Sequence, residues 1–360
     1  MTGYSFGCLR RYFPQIFEKV LLNGVIYARM SPDQKAQLVE HLISLGYGVS
    51  MCGDGANDCS ALKAAHVGIS LSEAEASVAS PFTSKIQNIS CVPEVIKEGR
   101  AALVTSFGVF KYMALYSMIQ FTSFMTNLAD PQFLYVDLFL ITPVAVFMSA
   151  NKAYEKIAVK RPLGSLVGFV NICSIIFQII LVGLFQVGAL FYVSQQPWYV
   201  KNRGDPDHFK KNNKSMEGTC VFLISTFQYV IMAFVFSKGP PFRQPLIKNF
   251  YFVFSLIILT ALNIWITLSP VEWVMHLLSM KKLDPKNEFS PFRFTLVALG
   301  FIFLVFSYAI EDTIVDTEWF KNFGKKIIRK KEPKNKYKRI QKVLDSDAQW
   351  PNINKITFNN

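Results

Sequence analysis

Tyr47-Gly48-Val49-Ser50-Met51-Cys52-Gly53-Asp54-Gly55-Ala56-Asn57-Asp58 decides how the first hundred residues are read, because an apolar stretch runs straight into a loop holding two carboxylates and an amide. Residues 47–52 predict a short buried strand, 58–65 the opening turns of a helix, and 67–69 the next strand. That order belongs to an α/β domain. Ligands of such domains sit beyond the carboxyl ends of the strands, where Asp54 and Asp58 fall. Two oxygen donors there suit magnesium, which keeps several waters and takes one or two protein carboxylates beside a substrate phosphate. Gly53 and Gly55 let the backbone approach an anion closely, and Asn57 has an amide hydrogen to give a phosphate oxygen. The same residues also make ordinary surface turns, so the loop alone leaves both readings open.

Outside the loop, composition points to a membrane. The 360 residues are 51% hydrophobic with 33 Phe, and the mean hydropathy is +0.27. Residues 1–100 read as soluble, and runs of spanning length come only afterwards. Uncharged runs at 166–193, 219–237, 250–268 and 294–310 each approach the ~20 residues a spanning helix needs. Residues 104–126 contain Lys111, and 133–149 contain Asp137 and Pro143. Counting both, six spans are predicted, and two adjacent spans carrying ionisable groups are what a transport path looks like. If Lys111 marks the membrane edge, residues 112–126 give about 22 Å of helix against a hydrocarbon core of ~30 Å. Either Lys111 lies deeper and is paired, or this span is defective.

Charge sets orientation. With the soluble part inside, the cytosolic connections carry Lys152, Lys156, Lys160 and Arg161, then Lys238, Arg243 and Lys248, then a basic tail, as the positive-inside rule asks. The loop at 194–218 also holds five basic residues and the glycosylation acceptor pattern Asn213-Lys214-Ser215. The net charge of +13 comes largely from residues 321–342. It points to anionic lipid headgroups or a solvated tail rather than to nucleic acid. Six cysteines without a CxxC pair imply no disulfide framework or zinc site. With no apolar amino-terminal segment, insertion is expected to begin at an internal span.

Upstream of the loop stands Ala28-Arg29-Met30-Ser31-Pro32-Asp33-Gln34-Lys35, followed by a helical pattern to Leu45. Together with MCGDGANDCSALKAAHVGI this resembles the phosphorylation domain of P-type ATPases, of the haloacid-dehalogenase-like fold. Residues 76–83 (ASVASPFT), 96–103 (IKEGRAAL) and 107–120 narrow the resemblance to class V, subgroup B, the branch associated with polyamine export from endosomes and lysosomes. The resemblance covers nearly all of the chain. It implies a partial α/β haloacid-dehalogenase-like phosphorylation domain at 1–100, an all-α membrane domain of six transmembrane helices at 101–320, and a basic cytosolic tail at 321–360. Carried over by residue, it implies magnesium on Asp54, completion of the phosphate and metal shell by Asn57 and Asp58, and charge neutralisation at the phosphoryl group by Lys35. A solvated lysine at a helix start is the plainer alternative for Lys35.

The phosphorylated Asp-Lys-Thr-Gly-Thr motif of that family does not occur in these residues, nor do its nucleotide-binding domain, its actuator loop and its first four spans. ATP would be bound by the complete protein. Covalent catalysis needs the nucleophile itself, so this chain alone is expected not to hydrolyse ATP. A piece of an active pump and a short non-catalytic form that binds or competes with it both remain open.

In the membrane part, Tyr112, Tyr116 and Gln120 recur every four residues and share a helical face. Aromatic and amide groups so placed suit organic ammonium by cation–π contact and hydrogen bonding, and Asp137 supplies counter-charge. Helix packing is the alternative for each aromatic. Pro143 is positioned to loosen its helix and free carbonyls. The resemblance carries over Tyr116, Gln120 and Asp137 as residues lining a site for spermine or spermidine.

Overall fold

Three short parallel strands carry the first of two units: β1 (Ser50–Gly53), β2 (Val67–Ser70) and β3 (Phe82–Thr83), in the order β1-β2-β3. This is a computed structural model, and it describes residues 1–72, 77–124, 128–200, 215–269, 271–284, 290–315, 317, 319–320, 324 and 335–346. Ser50 pairs with Val67 and Gly53 with Ser70, while Ile69 pairs with Phe82. Parallel neighbours need a crossover, and a 3-10 turn followed by a short helix supplies it between β1 and β2. Helix α4 (Cys59–Ala64) packs on the sheet, α3 (Pro32–Ser44) packs on α4, and α1 (Gly3–Tyr12) and α2 (Pro14–Asn23) pack on each other, α1 also touching α3. Phe6, Phe17, Leu21 and Leu45 are buried together between them.

The start of α3 is written in its sequence. Ser31 caps it, its hydroxyl accepting from the Gln34 amide at 3.3 Å, while Gln34 Oε1 accepts from the Ser31 amide at 3.1 Å. Pro32 occupies the first turn, where its missing N–H is no loss. Gly46, at φ +91°, turns the chain out of the helix. The predicted strand at 47–52 begins later, at Ser50, because Tyr47 instead stacks on Tyr337 with ring centroids 4.1 Å apart. Tyr337 belongs to the helix Lys336–Ser346, whose Leu344 is buried. This described part of the basic tail lies in the first unit, packed on the α/β domain, and most of residues 321–334 fall outside the described residues.

The second unit holds the six helices long and apolar enough to cross a membrane: Cys91–Ser123, Asp130–Ser149, Phe169–Ser194, Met216–Phe236, Phe250–Leu268 and Pro291–Thr313. They are called the first to sixth spans below. The helix of the first span runs from Cys91 to Phe124, 34 residues, or about 51 Å at 1.5 Å per residue. Lys111 therefore lies inside the helix, buried, and not at its edge. Of the two alternatives for this span, the structure takes the one with a deep, paired lysine. In the second span the helix widens into a π-turn over Val136–Ile141, just ahead of Thr142-Pro143. Proline has no amide for the Phe139 carbonyl, and the Thr142 amide bonds the Asp137 carbonyl five residues back. Pro143 thus re-pitches the helix without unwinding it. The fourth span is enclosed: 18 of its 21 residues are buried. Ser215 caps it, accepting from the Gly218 amide at 2.8 Å. Its partners in the glycosylation pattern, Asn213 and Lys214, lie outside the described residues, as do residues 125–127 between the first two spans.

Candidate phosphoryl loop and cation site

The loop at the end of β1 is built around a close approach. A Cβ on Gly53 would stand 2.6 Å from the Asp58 Cβ and 2.7 Å from its Oδ2, so only glycine admits that carboxylate beside the strand end. The chain then makes a 3-10 turn over Ala56–Asp58, the Asp58 amide donating to the Gly55 carbonyl at 3.0 Å. This turn buries Asp58 and leaves Asp54 and Asn57 exposed. From the first turns of α3, Lys35 Nζ donates to Asp58 Oδ1 at 2.8 Å. Lys35 is therefore no merely solvated lysine at a helix start. A burial-driven shift, reinforced by the neighbouring Cys91 thiol and by Asp54 and Asp58, pushes the Cys52 thiol above its ordinary 9.0. The thiolate, the reactive form of a cysteine, is thereby disfavoured at Cys52.

The donor set suits a hard divalent ion held mainly by water and phosphate. Asp54 offers an exposed carboxylate, and Asp58 has one oxygen committed to Lys35. Among the described residues no group of three or more His, Cys, Asp or Glu converges. A closed cage of protein ligands is what zinc or calcium would want, whereas magnesium takes one or two carboxylates.

In the second unit, Tyr116 and Gln120 converge on Asp137 although 17 and more residues separate them in sequence. The Tyr116 hydroxyl donates to Asp137 Oδ1 in a short hydrogen bond, and Gln120 Nε2 reaches the same oxygen at 3.3 Å. Their spacing on the first span sets both on one face, and the π-turn presents Asp137 to it. Tyr112, on the same face, is fully buried. Tyr229 of the fourth span stands behind, its ring centroid 5.9 Å from that of Tyr116. Sequence reasoning passed over Tyr229 because it sits in an uncharged apolar run. Asp137 itself is exposed on the flank of the described helices, with Leu134, Leu138 and Phe139 exposed beside it.

Lys111 and Asp137 do not pair with each other. Lys111 Nζ meets Glu311 Oε1 of the sixth span at 2.6 Å, and Lys238 reaches that same oxygen at 3.1 Å. Glu311 stands one residue past the predicted end of its span, where hydropathy gives no warning of a buried charge.

No protein-family model matches the chain. Polyamine-transporting ATPase 13A3 of Homo sapiens is 43% identical over 98% of the chain, and polyamine-transporting ATPase 13A2 of Mus musculus is 42% identical over 98%. The probable cation-transporting ATPase catp-6 of Caenorhabditis elegans is 43% identical over 88% of it. The chain spans 25–30% of the length of these curated relatives. Matched over nearly its whole length to these proteins, it belongs to the 13A family of P-type ATPases, class V subgroup B, and corresponds to the carboxyl-terminal portion of such a protein.

Proposed function

We propose that the chain is the carboxyl-terminal part of an ATP-driven transporter that exports polyamines from the late endosomal or lysosomal lumen to the cytosol, with the α/β unit and basic tail cytosolic. The observation that carries this reading is the meeting of Tyr116, Gln120 and Asp137. One carboxylate oxygen takes two donors from an aromatic-amide face, which is a counter-charge beside a π surface. Organic ammonium groups are bound by that combination, and a carboxylate at membrane depth is retained for such work. The names of the relatives, polyamine-transporting ATPases 13A3 and 13A2, support the same cation class.

At the other end, Asp54 and Asp58 would hold magnesium, which when bound supplies charge stabilisation to a phosphoryl group. Asp58 orients Lys35, whose ammonium then faces the same loop, and Asn57 offers an amide donor. The aspartate that accepts the phosphoryl group belongs to the rest of the protein in this reading, so the chain by itself does not hydrolyse ATP.

A second reading has the chain associating with the full-length pump or competing with it. The exposure of Asp137 on the flank of the bundle favours this, because a carboxylate facing lipid is costly and further helices would cover it.

The test of the first reading is radiolabelled spermine uptake into vesicles carrying the complete transporter. Asp137→Asn is expected to lower uptake at least about tenfold, the loss of one charge-assisted contact. Unchanged uptake removes the assignment. Co-expression of the chain with the full-length pump decides the second reading, which requires reduced transport.

A further inference from the structure

We infer that Lys111 and Glu311 form a register pin that positions Tyr116 and Gln120 of the first span against Asp137, an inference that rests on reading those three residues as the cation site. The pair lies in a cluster the transport reading leaves unused. Lys111 Nζ stands 2.6 Å from Glu311 Oε1, with only 8% and 3% of the two side chains exposed. Glu311 Oε2 accepts from the Ser174 hydroxyl at 2.7 Å. The Lys111 ammonium also lies 4.6 Å from the centre of the Phe236 ring. One turn away, Gln178 Nε2 donates to the Ser307 carbonyl at 3.0 Å, and the Ser307 hydroxyl returns a bond to Gln178 Oε1 at 2.9 Å. The first, third and sixth spans and the end of the fourth therefore meet at one buried polar point.

Apolar side chains could fill that space at least as stably, since burying an ion pair sacrifices the hydration of both charges. What apolar packing supplies poorly is register. A directional ion pair fixes a helix along its axis and about it, and a slip of one residue moves a helix by 1.5 Å and turns it by about 100°. Tyr116 is five residues beyond Lys111, about 7.5 Å further along. Its face, shared with Tyr112 and Gln120, is turned by about 140° from that of Lys111. Holding Lys111 on Glu311 therefore decides which side chains of the first span confront Asp137 and Tyr229. Gly108 brings the helix close enough to be held: a Cβ there would lie 3.0 Å from the Phe236 carbonyl oxygen and 3.2 Å from Met148 Cε.

Three variants separate positioning from charge burial: Lys111→Met, Glu311→Gln, and the two combined. In the full 360-residue chain in nanodiscs, spin labels carried by unnatural amino acids at positions 117 and 308, both exposed, report the relation of the first span to the sixth. The labelled distance is expected to shift or broaden in all three variants. In the complete transporter, KM for spermine is expected to rise roughly tenfold in all three, with kcat changed by less than about twofold. The double variant decides between the roles, because it removes the buried charge that each single change leaves behind: Lys111 in Glu311→Gln, and in Lys111→Met a Glu311 left with Lys238 as its ion-pair partner. If it returns both KM and distance to the parent values, balanced burial was all that mattered and the pin is refuted. Unmoved labels, with Asp137→Asn still abolishing transport, overturn the pin alone. An Asp137→Asn transporter that still moves spermine overturns the site reading and this inference with it.

Discussion

Lys35 and Asp58 lie 23 residues apart, and the sequence marked each of them for one phosphoryl loop without showing that they pair. Each stands at the end of an element whose start is written locally, in Ser31-Pro32 and in Gly53 to Asp58. Tyr116 and Gln120 were legible because a four-residue spacing fixes a helical face whatever surrounds it, and Asp137 because a carboxylate within an apolar span stands out. The pair of Lys111 and Glu311 was not, because 200 residues separate them and no local pattern ties a lysine in one span to a glutamate just beyond another. His41 carries a consequence at this scale too. Its ring meets Phe17 edge-on at 5.1 Å, and burial first, then Arg10, hold its pKa below the ordinary 6.5. Unfolding lets His41 bind a proton that the folded unit resists, so its contribution is present above 6.5 and is lost as pH falls through the depressed value. Pulse proteolysis of the full chain in urea is expected to show a lower midpoint for the α/β unit at about pH 5.5 than at about pH 7.5. In His41→Gln that difference should shrink.

At the scale of the element, hydropathy placed all six spans but not their true ends. The first helix begins 13 residues ahead of the predicted 104, at Cys91. Glu94, Lys97, Glu98 and Arg100 make its opening turns helical and polar, and a polar turn gives an apolar-window reading nothing to find. The π-turn was foreshadowed by Pro143, although a loss of helix was expected and a change of pitch is what occurs. The Thr142 hydroxyl also donates to the Asp137 carbonyl at 2.7 Å, so Thr142 engages that carbonyl twice. Pro143→Ala restores an amide for the Phe139 carbonyl and favours an ordinary α-turn, which would rotate Asp137 relative to the residues after it. On the proposed function, spermine uptake by the complete protein is expected to fall about tenfold or more, while helix content measured by circular dichroism stays unchanged.

For the molecule as a whole, the sequence told the class of each unit and the order of its spans. It did not tell which spans are central, because an apolar run looks the same whether it faces lipid or protein. The fourth span shows the difference: Ser225, Thr226 and Gln228 are buried in it along with its apolar residues. Gln228 Oε1 accepts from Gln186 of the third span at 3.0 Å, and Asn263 of the fifth donates to the Thr226 carbonyl at 3.1 Å. Gly300 of the sixth span lets Phe227 in closely, a Cβ there meeting its Cγ at 3.1 Å. A chain ended before Pro291 would lose that last wall and bare Phe227 and its neighbours. Such a truncation is expected to reach the membrane but to be degraded several-fold faster than the parent in a pulse-chase measurement, whereas Gly300→Ala should be milder.

The enclosure of the fourth span also sets an order of assembly. A helix leaving the ribosome and insertion machinery meets only what has already been made. Met216–Phe236 therefore enters the bilayer with the partners on one side present and those on the other still to come. Gln228 already has Gln186 of the third span to meet, but until the fifth and sixth spans arrive the Thr226 carbonyl and Phe227 lie against lipid or against whatever the insertion machinery offers. Biogenesis of this protein thus includes an interval in which its innermost helix is still bare along one side.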